Sequence, residues 1–456
     1  MVPTDMLDWT IDVCTVDVIE NVLRCTSRAG YKGSVDLADI LCVLPQAKSQ
    51  LGYLVLFLMR MTSDDKSNTR LVNMVIPELP DALIRFVSEI PSHLRHKEPV
   101  QVIISTRSGT GTAKAAFQDI VQPFLTHLDI DHQVYETQSA QTIVELSQLQ
   151  FLGRACEGAP QTILLLSGDG GLIDIVDVFY KSTQYVKVAP NIALIPCGTG
   201  NAMANSIGLH LGPVSGLAAL LRGKPCPLPV FAVKLSPGSQ LVIDEGRKRA
   251  PIYTESTGVP CRTMYGAVVA SWGLHAALVA DSDTEEYRRF GAERFKMAAK
   301  ELLYPSDGTG SHRYQGKITL TRDGKGGVHQ ETIAGNEHMY VLATLVPQLE
   351  KDFVISPDSE PLDGQMRLLR FGPLPSEEAM RLMTLAYQGG LHVLENPMTY
   401  TTVEQMRIEF REDLERWRRV CIDGKIVAVE KGGWMELGKE PRQLLAVIKP
   451  GSENAQ

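Results

Sequence analysis

Two glycine turns hold the residues best suited to chemistry. "SGDGG", residues 167–171, follows the apolar run "TILLL" and precedes "LIDIVDVFY". Glycines at the end of a strand bring backbone N–H groups close to an anion such as phosphate, and a carboxylate there repels it. Asp169 therefore has two readings. It bonds amides of its own loop as an Asx-type turn, or it takes a proton beside a phosphate whose charge Mg²⁺ screens. About 30 residues on comes "PCGTGNAMA". There Gly198, Thr199 and Gly200 could hold phosphate or ribose with backbone amides, or form a bare turn with Asn201 capping the next helix.

A third turn, "STRSGTGTAK", lies upstream. It lacks the G-x-x-x-x-G-K-[ST] spacing of a Walker loop, and Lys114 stands where a dinucleotide fingerprint needs its third glycine. Both standard phosphate loops are excluded. No His, Cys or acidic group shows metal-ligand spacing. "SWGLH" is not a nucleophile elbow, so Ser271 and His275 read as packing residues of a substrate wall.

The elements that must position these turns are strand-then-helix units. "VQVIIS", "HQVYET", "TILLLS" and "NIALIP" read as strands, each leading into a helical pattern. That alternation predicts a parallel sheet covered by helices, with ligands at the carboxyl ends of its strands, where the three glycine turns would share one site. Beyond about Pro225 short alternating runs predict an antiparallel β region. "VCIDGKIVAV" forms a hairpin there, turning at Asp423 and Gly424 in type I′ geometry. Residues 283–303 read as helical. The expected organisation is a β-rich accessory region at 1–98, a nucleotide-binding domain at 99–225, a β-rich lipid domain at 226–446 and a tail at 447–456.

The chain has 456 residues, 44% of them hydrophobic, and a net charge of −8, which argues against nucleic acid as a partner. Eight cysteines without a C-x-x-C pair fit reduced thiols in the cytoplasm. The compact apolar stretch "YLVLFLM" is far short of the roughly 20 residues that cross a bilayer, so the expected membrane contact is peripheral.

"STRSGTG", "SGDGG", "CGTGN" and "EYRRFGAERF", in this order, resemble the diacylglycerol kinase catalytic family and its sphingosine kinase branch. The resemblance spans roughly residues 99–440. It implies an α/β nucleotide-binding domain with a Rossmann-like parallel sheet, a C-terminal antiparallel β-sandwich-like lipid-binding domain, and ATP with Mg²⁺ in the cleft between them. Asp169 would be the general base for a lipid hydroxyl, with Ser167, Gly168 and Gly170 bordering the substrate. The nucleotide would meet Ser105, Thr106, Arg107, Thr137, Gly198, Thr199 and Gly200. Asp174 would reach ATP hydroxyls or be a plain helix acid. Arg288 and Arg294 would neutralise phosphates if the chain bends at Gly291, and Asp281 would recognise an amino-alcohol head.

Three departures stand out. Ser105-Thr106 replaces the family's Asn-Pro, Thr142-Ile143 its His-Ala, and Asp423-Gly424-Lys425 its D-G-E, where the charge reverses. Lys425 could meet a phosphate directly or sit in solvent. The reading is an ATP-dependent lipid kinase acting on the primary hydroxyl of a sphingoid long-chain base drawn from a membrane surface. Diacylglycerol or ceramide is the alternative substrate, and a nucleotide- or lipid-binding pseudo-kinase the alternative role.

Overall fold

The computed structural model describes residues 10–27, 30, 32–46, 52–63, 66–109, 111–252, 262–291, 293–324 and 327–451. Thr110 of the first glycine turn and Cys261 lie outside them.

The strands Val100–Ile104 and Thr162–Ser167 are buried along their whole length, as expected when helices cover both faces of a sheet. Successive side chains point to opposite faces. Val102, Ile104, Leu164 and Leu166 pack under Phe117, Phe124 and Leu220. Ile103, Ile163 and Leu165 pack under Phe151, Ile173 and Val176 on the other face. His132–Glu136 flanks Val100–Ile104, and Asn191–Pro196 flanks Thr162–Ser167, all in parallel register. Ile104 pairs with Leu166 and Ser167 with Pro196, so the three glycine turns leave the sheet at one edge.

The sheet is not purely parallel, contrary to expectation. Its six strands include Ala446–Lys449, parallel to Asn191–Pro196, and the edge strand Lys224–Pro227, antiparallel to Ala446–Lys449. The expected tail at 447–456 thus begins inside a strand. Val447 and Ile448 are buried because this short apolar run completes the sheet. A run of four residues is too brief to show alternation from sequence.

Among the described residues the C-terminal half holds two large antiparallel sheets, of seven and eight strands, and a small two-stranded one. Phe231, Ile318, Met406 and Leu437 of one face Trp272, Val341, Leu368 and Val420 of the other in one core, as in a β-sandwich. The run 283–303 is two helices, Glu285–Arg288 and Glu293–Leu303, separated at Gly291, whose φ is +57°. Residues 10–76 contribute a further six-stranded sheet, whose Leu41, Leu56 and Leu58 pack on the helices that cover the central sheet.

Candidate active site

The three glycine turns meet backbone to backbone. A Cβ on Gly198 would lie 2.5 Å from the Cα of Gly168, and one on Gly168 would lie 3.0 Å from the Cα of Gly198. At Gly109, where φ is +53°, a Cβ would come within 2.5 Å of the Cys197 carbonyl oxygen. Ser108 Oγ accepts the Gly168 N–H at 2.8 Å, which ties the first turn to the second. Glycine is needed at these positions first for loop-to-loop approach. Gly170 differs, since a Cβ there would meet nothing within 4 Å.

Asp169 is the first residue of the helix Asp169–Lys181. Its carboxylate accepts the N–H groups of Ala202 at 2.7 Å and Met203 at 3.0 Å, the opening amides of the helix after the "CGTGN" turn. Asp169 is therefore a cap, but for another turn and not its own. Asn201, expected to cap that helix, adopts a left-handed backbone and turns back. Its Oδ1 accepts the Gly198 N–H and its Nδ2 donates to the Gly198 carbonyl, each at 2.8 Å. Burial pushes the Asp169 carboxyl above the usual range, against the pull of its amide donors.

The turns open onto a cavity of about 1680 Å³. Gly168, Asp169, Gly170, Thr199, Asp174 and Lys425 form one part of its wall, and Leu274, Leu278, Val279, Leu303, Phe353 and Met383 form another. Asp423 and Gly424 have φ of 47° and 83°, as a type I′ turn requires. The Asp423 carboxylate accepts N–H groups from Ala267 at 2.6 Å, Val268 at 3.2 Å and Val269 at 2.5 Å, fixing a stretch that lines the cavity. Burial, with Asp169 as a neighbouring charge, pushes its pKa up to about 7 despite those donors. Lys425 Nζ lies 2.9 Å from Asp174 Oδ1. Burial works against the Lys425 ammonium, yet the carboxylates of Asp174 and Asp177 hold its pKa above the ordinary lysine value.

Residues 99–233 match the family model of the diacylglycerol kinase catalytic domain. Over 358 residues the chain is 25% identical to sphingosine kinase 1 of Mus musculus, covering 73% of this chain and 87% of that protein. It is 28% identical to sphingosine kinase B of Dictyostelium discoideum over 151 residues, covering 33% of this chain and 19% of the relative. Residues 99–233 thus carry a diacylglycerol kinase catalytic domain, and the chain is a lipid kinase. Both of these relatives are sphingosine kinases. A Bacillus anthracis structure described as a diacylglycerol kinase shares its fold, with a TM-score of 0.51 at 14% identity over 78% of this chain and 98% of that one.

The lipid kinase gathers Gly168, Asp169, Gly170, Asp174, Gly198, Thr199, Gly200, Arg294, Asp423, Gly424 and Lys425 around one cavity. Arg294 lies 3.5 Å from Asp283, which also lines it. The side chain of Arg288 lies outside the described residues. Ser105, Thr106, Arg107 and Thr137 sit beside the cavity at the strand ends and not on its wall. Thr106 donates its N–H to Thr137 Oγ1 at 3.0 Å and its hydroxyl to the Thr137 carbonyl at 2.9 Å, while Arg107 is exposed. Ser167 is buried behind its turn, with its Oγ 2.6 Å from where a Gly171 Cβ would stand.

Asp281 is absent from the wall as well. Arg416 and Arg419 hold its two oxygens at 2.8 and 2.7 Å. Lys425 is neither exposed nor unpaired, because Asp174 binds it. Sequence reasoning missed Met380, Met383 and Phe353. The helix Ser376–Ala386 that carries the two methionines was detectable, since Glu377 and Glu378 follow Pro375 and Ser376 at its start.

Proposed function

We propose that this kinase transfers the γ-phosphate of ATP to the primary hydroxyl of a sphingoid long-chain base. The observation that supports this most is the single cavity joining the glycine turns and Asp169 to an apolar wall of Leu274, Leu278 and Val279. A phosphate donor and an acyl chain can meet there in one enclosure. The lipid hydroxyl attacks the γ-phosphorus, the bond to the bridging oxygen of ADP breaks, and the hydroxyl proton passes to Asp169. Burial makes this carboxylate a stronger base than a free aspartate, and the Ala202 and Met203 amides hold it in one orientation. The backbone amides of the 198–200 turn are the fixed dipoles suited to phosphate oxygens.

Mg²⁺ would accompany the nucleotide. The side chains present do not form a metal cage: among the described residues no three His, Cys, Asp or Glu are grouped to hold one. Asp423 is committed to three amides and Asp174 to Lys425. Mg²⁺ commonly keeps several waters and binds through substrate phosphates with few protein ligands.

One observation favours a second reading, a diacylglycerol or ceramide kinase. Asp281, the acid expected to meet a cationic amine, is held by Arg416 and Arg419 away from the cavity. A lipid with an uncharged head does not need that acid. Phosphate transfer from radiolabelled ATP to sphingosine, phytosphingosine, ceramide and diacylglycerol separates the readings. Label in the first two supports a sphingoid base, and label only in the last two supports the neutral head. Label in none supports the pseudo-kinase. The lipid would be met at a membrane surface, and no described helix is long and apolar enough to cross one.

A further inference from the structure

His275 is the polar exception in an apolar part of the cavity wall. It lies on the helix Leu274–Ser282, and Leu274, Leu278 and Val279 of the same helix line the cavity with it. Its Nδ1 is engaged by the wall: Ser271 Oγ lies 2.7 Å away, on the fully buried strand Val269–Gly273. Ser271 pairs with the buried Cys421 of the neighbouring strand. Nε2, at the opposite edge of the ring, has no hydrogen-bond partner among the described residues. Burial lowers the pKa of the imidazole to about 4, so at neutral pH it is uncharged, with one nitrogen a donor and the other an acceptor.

The Ser271 hydroxyl proton settles which is which. If Ser271 donates to Nδ1, Nε2–H is a donor. If Nδ1–H donates to Ser271, Nε2 is an acceptor. A hydroxyl on the ligand satisfies either setting, whereas an acyl chain alone leaves a desolvated nitrogen unmatched.

We propose that His275 determines specificity by hydrogen-bonding, through Nε2, a hydroxyl carried on the lipid chain beyond the 1- and 3-hydroxyls of the head. The proposal rests on the reading that the cavity takes a sphingoid lipid. Phytosphingosine and sphinganine differ by one such chain hydroxyl, and they are the probes. With the full-length wild type, kcat/KM for phytosphingosine should exceed that for sphinganine by about five- to tenfold, the value of one net hydrogen bond, mostly through KM. His275→Leu should bring the ratio near one. His275→Gln, which keeps a polar group at the position, should restore part of it, and Ser271→Ala should reduce it.

A wild-type ratio near one, or a ratio that survives in His275→Leu, overturns the proposal. Equilibrium binding of the two radiolabelled lipids to the same proteins separates the two layers. Binding without phosphate transfer, with the same ratio and the same loss in His275→Leu, upholds the role of His275 while refuting turnover. Binding of neither lipid overturns the proposal together with the sphingoid reading.

Discussion

The two sides of the cavity are built by different means. On the α/β side the wall is mostly backbone: Gly109, Gly168 and Gly198 touch main chain to main chain, and Asp169 fastens one turn to the next through two amides. On the β-sandwich side it is held by side chains, the Asp423 carboxylate on three amides and the Lys425–Asp174 and Arg294–Asp283 pairs. Backbone contact tolerates no added atom, so the glycine spacing is rigidly specified. A side-chain pair can exchange partners and keep its net charge, which is how a lysine can stand where relatives are expected to carry a glutamate.

The contrast is broken most severely at Gly198. Gly198→Ala puts a methyl group 2.5 Å from the backbone Cα of Gly168 and 2.8 Å from Asn201 Oδ1. The expected result is a loss of roughly 1–3 kcal/mol of stability by denaturant titration, with ATP binding abolished. Near-normal stability together with ATP binding would mean that the turns are loosely packed.

Asp423 comes next, through pH. Its folded pKa of about 7 exceeds the roughly 3.9 of an unfolded aspartate, so the native state binds the extra proton. This group therefore contributes most stability below about pH 4, and the contribution is lost as pH rises through about 7. Asp423→Asn should remove that slope from a series of denaturation curves, and an unchanged slope would assign it to other groups.

Lys425 has a smaller effect. Lys425→Ala leaves Asp174 buried beside Asp177 without its cation, and should raise the ATP concentration for half-maximal rate by about tenfold. Lys425→Glu adds a third carboxylate and should be worse, unless added Mg²⁺ rescues it. Three superimposable ATP titrations would remove Lys425 from the site. Gly170→Ala is the mildest change: its Cβ meets nothing within 4 Å, so stability should stay within about 0.5 kcal/mol and only substrate binding should respond.

The legible parts of the molecule were those encoded locally. Four apolar runs, three of them before glycine turns, gave the parallel core, and Asp-Gly between two short runs gave the hairpin at 423–424. The cap that Asp169 supplies to Ala202 crosses 33 positions, and the salt bridge from Asp174, on a helix, reaches Lys425 on a strand of the β region. No spacing rule connects such positions. Asp281 shows the same limit, because its two arginines lie on a segment more than a hundred residues away. Ala446–Lys449 joined the central sheet by completing it, a role set by the sheet and not by four residues of sequence.

Proton transfer from a lipid hydroxyl in this cavity to Asp169 is the step on which the proposed function turns. Phosphate transfer from radiolabelled ATP to sphingosine by wild type and Asp169→Asn, with ATP binding measured on both, tests it most directly. The expected result is transfer by the wild type, a loss of about 10²–10⁴-fold in kcat for Asp169→Asn, and ATP binding kept or improved as a negative charge is removed. Transfer at the wild-type rate by a folded Asp169→Asn would contradict it and leave Asp169 as a helix cap alone.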